Sequence, residues 1–97
     1  FLERARAEVV RRHGRGFFLD VHGHGHPVAQ VEIGYLHSRA LLGQPDAALD
    51  APEVLAGGSL RGLKDRLAVP YSQVLRGSNS LGAVLMAEGF PATPSLE

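Results

Sequence analysis

The run Gly16-Phe17-Phe18-Leu19-Asp20-Val21-His22 constrains this chain more than any other stretch. It is rich in aromatic and apolar side chains, is bounded by Gly16 and Gly23, and lacks the polar alternation of a strand with one wet face. It predicts a buried central strand. Just upstream, Leu2, Ala5, Val9 and Val10 recur at helical spacing, with charged residues on the other faces, so an amphipathic helix is expected over Leu2 to His13. Arg11, Arg12 and His13 suit the negative end of its dipole, and Gly14 is placed to cap it in the left-handed conformation. A helix leading into a buried strand is half of a βαβ unit, whose first strand would lie before Phe1. The expected fold is therefore a fragment of a three-layer α/β/α sandwich with a mostly parallel or mixed sheet. Residues 1–97 would form one partial domain of a longer polypeptide.

Beyond the His-Gly-His-Gly-His-Pro turn, Val28 to Leu36 alternates, with Val31, Ile33 and Tyr35 on one face, and reads as a second strand. Gly43 to Gly58 holds Pro45, Pro52, three acidic residues and a Gly-Gly pair, and reads as a surface loop. Ser59 is placed to cap a helix to about Leu67 with an apolar stripe of Leu60, Leu63 and Leu67, before Pro70 breaks it. A short helical turn follows over Tyr71 to Leu75. Ser80 then caps Leu81 to Glu88, with Leu81, Val84 and Leu85 inward and Gly89 as the stop. Phe90 to Pro94 is extended. Tyr35 and Tyr71 read as core or boundary aromatics.

Composition narrows the chemistry. The chain has no cysteine, so thiolate metal sites, disulfides and cysteine nucleophiles are excluded, and a metal must be held by His, Asp or Glu. Ten Lys plus Arg balance ten Asp plus Glu, which gives no general pull toward nucleic acid or an anionic membrane. No apolar run approaches the roughly 20 residues that span a bilayer, so a soluble protein is expected.

Three of the five histidines fall within five residues, in Asp20-Val21-His22-Gly23-His24-Gly25-His26. Side chains alternate along an extended backbone, so Asp20 and His22 share a side, joined by His24 if the strand continues. Neutral imidazoles bind zinc and similar metals, and a nearby carboxylate orients an imidazole through its second nitrogen. In open α/β sheets the carboxyl end of a strand is also where ligands bind. His26, next to Pro27, reads as a loop or substrate-side residue. Glu32 reads first as the polar side of a half-buried strand, with a ligand or base role as the alternative. Arg76 and the amides before the Ser80 cap could hold a substrate carboxylate, or Arg76 could serve a surface ion pair.

Phe18-Leu19-Asp20-Val21-His22-Gly23-His24 followed by Glu32-Ile33-Gly34-Tyr35-Leu36 resembles the zinc-hydrolase superfamily of N-formylglutamate amidohydrolases and zinc carboxypeptidases. Leu75-Arg76-Gly77 and Ser80-Leu81-Gly82 extend the resemblance to about Pro94. It implies Zn2+ as cofactor, His22 as a metal ligand, and Asp20 and His24 as the candidates for catalytic work beside it. Arg76 and His26 would bind a small-molecule amide or peptide. The superfamily's first two ligands, a His and a Glu a few residues apart, have no counterpart before His22, and no later residue matches its catalytic carboxylate. The segment alone is therefore expected to be inactive.

Two other readings stand beside this one. A TIM-barrel amidohydrolase would use Asp20-x-His22-x-His24 at the end of its first strand, though the preceding helix is unusual there. A non-catalytic module would use its histidines for opportunistic metal capture or for contact with a partner. Nucleic-acid binding is disfavoured, because the basic residues lie among acidic ones without an aromatic-basic surface pattern.

Overall fold

A computed structural model describes residues 1–95 of the chain. Its helices are α1 (Leu2–His13), α2 (Arg39–Leu42), α3 (Asp46–Leu49), α4 (Pro52–Gly57), α5 (Tyr71–Arg76) and α6 (Leu81–Ala87), with a 3-10 turn at Arg61–Leu63. The described strands are β1 (Val31–Glu32) and β2 (Ala92–Thr93). They pair in parallel, Val31 opposite Ala92 and Glu32 opposite Thr93. Two strands of this length cannot form the middle layer of an α/β/α sandwich, so that expectation is corrected: the fold is short helices around one small parallel pair. A closed barrel is equally absent among the described residues.

The largest departure is at residues 16–22. Instead of a buried strand, the segment is extended and exposed, with Phe17 73%, Phe18 67% and Val21 84% accessible. Apolar chemistry makes burial favourable, but a strand also needs a neighbour to take its amide and carbonyl groups. Among the described residues none lies beside it. α1 forms where the periodicity places it and ends at Gly14, whose φ of 73° lies in the left-handed region that favours glycine. This helix buries none of its residues.

The core is built by Tyr35, Leu49, Leu55, Tyr71 and Leu75. Leu49 and Leu55 belong to α3 and α4, inside the stretch read as a surface loop. Its prolines open helices rather than mark a loop: Pro45 precedes α3 and Pro52 sits in the first turn of α4, where a missing N–H costs nothing. The expected helix from Ser59 to Leu67 shrinks to the turn at Arg61–Leu63. Gly62 lies at its centre, where glycine costs about 1 kcal/mol relative to alanine. Leu60 and Leu67 still pack against the core.

α6 is capped as expected, Ser80 Oγ accepting from the Ala83 amide at 3.2 Å. Its inward face differs from the expected one: Gly82 is buried and Leu85 half-buried, while Leu81 and Val84 are 40% and 51% exposed. A Cβ at Gly82 would collide with the carbonyl oxygen of Pro94, so glycine here lets the segment after β2 lie against the helix.

Contacts at both ends of α5 join the helices. Pro70 gives that helix no side-chain cap, and the amide of buried Ser72 donates to Asp50 Oδ1 at 2.7 Å instead. At the other end, the Arg76 guanidinium donates to Asp46 Oδ1 at 2.6 Å and to the carbonyls of Leu42 and Gln44 at 2.6 and 2.7 Å. Asp50→Ala strands a buried donor and is expected to cost about 1–3 kcal/mol in urea unfolding. Asp65→Ala, at an exposed position, should stay within about 0.5 kcal/mol of the parent.

Candidate functional site

The histidine loop folds back toward β1 through hydrogen bonds of its own. His24 Nε2 lies 2.7 Å from the carbonyl oxygen of Gln30. A carbonyl only accepts, so Nε2 carries the ring proton, and His24 Nδ1 is the acceptor for the His26 amide at 3.1 Å. His26 Nδ1 lies 2.7 Å from Glu32 Oε2, donating to the carboxylate. The two imidazoles stand with ring centroids 4.9 Å apart.

These contacts gather His24, His26 and Glu32 so that one ligating atom of each lies within 4.8 Å of the others. Two imidazoles and a carboxylate suit zinc and neighbouring transition metals better than magnesium or calcium, which prefer all-oxygen shells. Ligands about 2.1 Å from one ion lie at most about 4.2 Å apart. The widest gap therefore has to close by at least about 0.6 Å, within reach of rotation of exposed side chains. The residues present fit a metal ion of this class.

His22 lies outside this group. Its Nδ1 is 3.5 Å from Asp20 Oδ1, so the Asp-x-His pair forms as alternation suggests, but on an exposed segment rather than at the end of a buried strand. The Asp20 carboxylate is exposed. Arg76 stands elsewhere, on α5, with its guanidinium engaged by Asp46 and two backbone carbonyls; a substrate carboxylate would have to displace Asp46. Its position on an alternating strand reads first as solvent-facing polarity for Glu32, whereas the structure turns it toward the histidines. The usable signal was its place on the first strand after the loop, six residues beyond His26 just as Gln30 is six beyond His24.

Two further features border the core. His37 Nε2 lies 2.9 Å from the Tyr71 hydroxyl, and the pair closes over Gly58, where a Cβ would press on both groups. Leu36, at a φ of 62°, turns the chain between buried Tyr35 and His37. A cavity of about 340 Å³ lies on the α5–α6 side, lined by apolar residues such as Leu60, Leu63, Val74 and Leu81 with Phe17 among them. None of the loop histidines lines it. Among the described residues no helix is long and apolar enough to cross a membrane.

No family profile matches the chain, and neither a curated protein nor a solved structure matches it.

Burial pushes the Tyr35 and Tyr71 phenols above their ordinary value near 10, Tyr71 further through its charge interaction with Tyr35. Folded values raised above unfolded ones mean that the neutral phenols favour the fold fully below pH of about 10. That stability is lost as pH rises through the folded values. Absorbance at 295 nm should show both phenols ionising at higher pH than free tyrosine, together with loss of structure. Ionisation at the free-tyrosine pH with the fold intact would contradict the burial.

Proposed function

We propose that this chain is the metal-binding segment of a zinc-dependent hydrolase of amide or peptide C–N bonds, of the kind its Asp-x-His-Gly-His sequence resembles. The observation that supports the reading is the convergence of loop histidines on a carboxylate, with an Asp–His pair immediately before them. Bound zinc would supply Lewis acidity that polarises a carbonyl and lowers the pKa of water toward neutrality. The chain's own residues then have separable tasks. His24 and His26 offer imidazole nitrogens, the Gln30 carbonyl orients the His24 ring, and Glu32 adds a carboxylate 2.7 Å from His26 Nδ1. His22, with Asp20 Oδ1 3.5 Å from its Nδ1, is a further exposed imidazole next to the loop in sequence and is the candidate for proton transfer. The substrate is a small-molecule amide or a peptide, reaching the histidines from solvent.

One observation favours a second reading, a histidine-rich metal-binding module without turnover. Every histidine of the loop is exposed, and none of them lines the cavity beside α5 and α6.

Elemental analysis after dialysis against zinc is expected to find about one equivalent, and almost none in the variant H22A/H24A/H26A. Metal-dependent release of formate from formyl-amino acids, or of amine from peptides, would then support the hydrolase. Stoichiometric zinc without turnover in the full-length protein would favour the module. Negligible zinc in the parent would overturn both.

A further inference from the structure

We infer that Glu32 is a direct metal ligand, and that His24, His26 and Glu32 hold a single divalent transition-metal ion without needing His22. This rests on the metal-binding reading above and assigns its ligands differently from the sequence resemblance, which points to His22.

Three observations carry it. The first is convergence: the three residues offer ligating atoms within 4.8 Å of one another, while His22 pairs with Asp20 outside the group. The second is support. Glu32 lies in β1, and its neighbours are fixed by bonds to the β2 segment, Val31 N–H to the Pro91 carbonyl at 2.7 Å and Ile33 N–H to the Thr93 carbonyl at 2.9 Å. A carboxylate on a hydrogen-bonded strand is a better anchor for a metal than one on a free loop, because less freedom is lost on binding. The third is the state of the rings. His24 already donates its Nε2 proton to a backbone carbonyl, the arrangement that orients metal-binding imidazoles, and its Nδ1 lone pair is turned toward the His26 amide. An ion captured at Nδ1 replaces that weak amide contact and leaves the orienting bond intact.

The hydrogen bond between His26 and Glu32 fits the same picture. The carboxylate has two oxygens, and one of them meets His26 Nδ1. An ion bound between that oxygen and His26 Nδ1 would take the place of the shared proton, the neutral ring then carrying its proton at Nε2. Two nitrogens and one oxygen leave further coordination positions on the solvent side, as a site that exchanges water or substrate requires. Gly23 and Gly25 flank His24, and added Cβ atoms there would meet nothing within 4 Å, so the loop has room to tighten around the ion.

The test is titration of the full chain with Co2+, followed by its visible absorption and by calorimetry, with Zn2+ as competitor. The parent is compared with Glu32→Gln, His24→Ala and His22→Ala, and circular dichroism confirms that each variant is folded. We expect one ion per chain. Glu32→Gln and His24→Ala should each weaken binding by about 10-fold or more, with a changed cobalt spectrum. His22→Ala should stay within about 3-fold and keep the parent spectrum. Binding in Glu32→Gln with the parent affinity and spectrum would overturn this assignment and leave the metal-binding reading standing. Loss of binding in His22→Ala would do the same and return the site to the ligand that the resemblance implies. No binding by the parent would overturn both.

Discussion

The structure depends on the way α5 is held at its two ends. A helix of six residues cannot stabilise itself, since most of its amides and carbonyls lack partners within the helix. Here the partners come from α2 to α3. Asp50 takes the Ser72 amide at the positive end, and Arg76 leaves the last turn to bind Asp46 and the carbonyls of Leu42 and Gln44. The two contacts fix residues 42–50 along the helix, which brings Leu49 into one cluster with Tyr71 and Leu75. Tyr71 then holds His37, and the Tyr35 carbonyl accepts from the Ser59 amide at 2.9 Å. Through Ile33 this ordered segment runs into β1, so the strand that carries Glu32 is tied to the core from one side and to β2 from the other.

What the sequence made legible were features with local causes. α1, its Gly14 cap, the Ser80 cap of α6 and the turn of helix after Pro70 each depend on residues within a few positions, and each forms. The convergence of Gln30 and Glu32 on the histidine loop was not legible, because it depends on how the loop folds back, which no periodicity encodes. Arg76 shows the same limit: its residue type was compatible with a substrate carboxylate or an ion pair, and only the position of Asp46 decides. The prolines and glycines of 43–58 read as a surface loop, yet they bound short helices that carry Leu49 and Leu55, so polar punctuation hid two core residues.

The error at residues 16–22 has a different origin. Composition alone predicts burial of this run, but burial belongs to a pair of surfaces. Phe17, Phe18, Leu19 and Val21 remain exposed because the helices of the body bury their apolar residues against one another around Tyr35 and Leu75, while the sheet extends no further than β1 and β2 among the described residues. α1, upstream of this run, likewise buries none of its residues. The three-layer expectation grew from this one strand, and it falls with it.

The contrast between this segment and the histidine loop explains where binding chemistry can reside. An exposed extended segment orders its own side chains poorly, so the Asp20–His22 pair, both partners well exposed, can give little orientation to a ligand. The loop from His24 to Glu32 is closed by hydrogen bonds and ends on a paired strand, and closing so short a loop costs little further entropy. A metal ion joining the two histidines to Glu32 would therefore fasten an already bent loop to a strand paired with β2. The same ion at His22 would have to order an extended segment before gaining any bond from it.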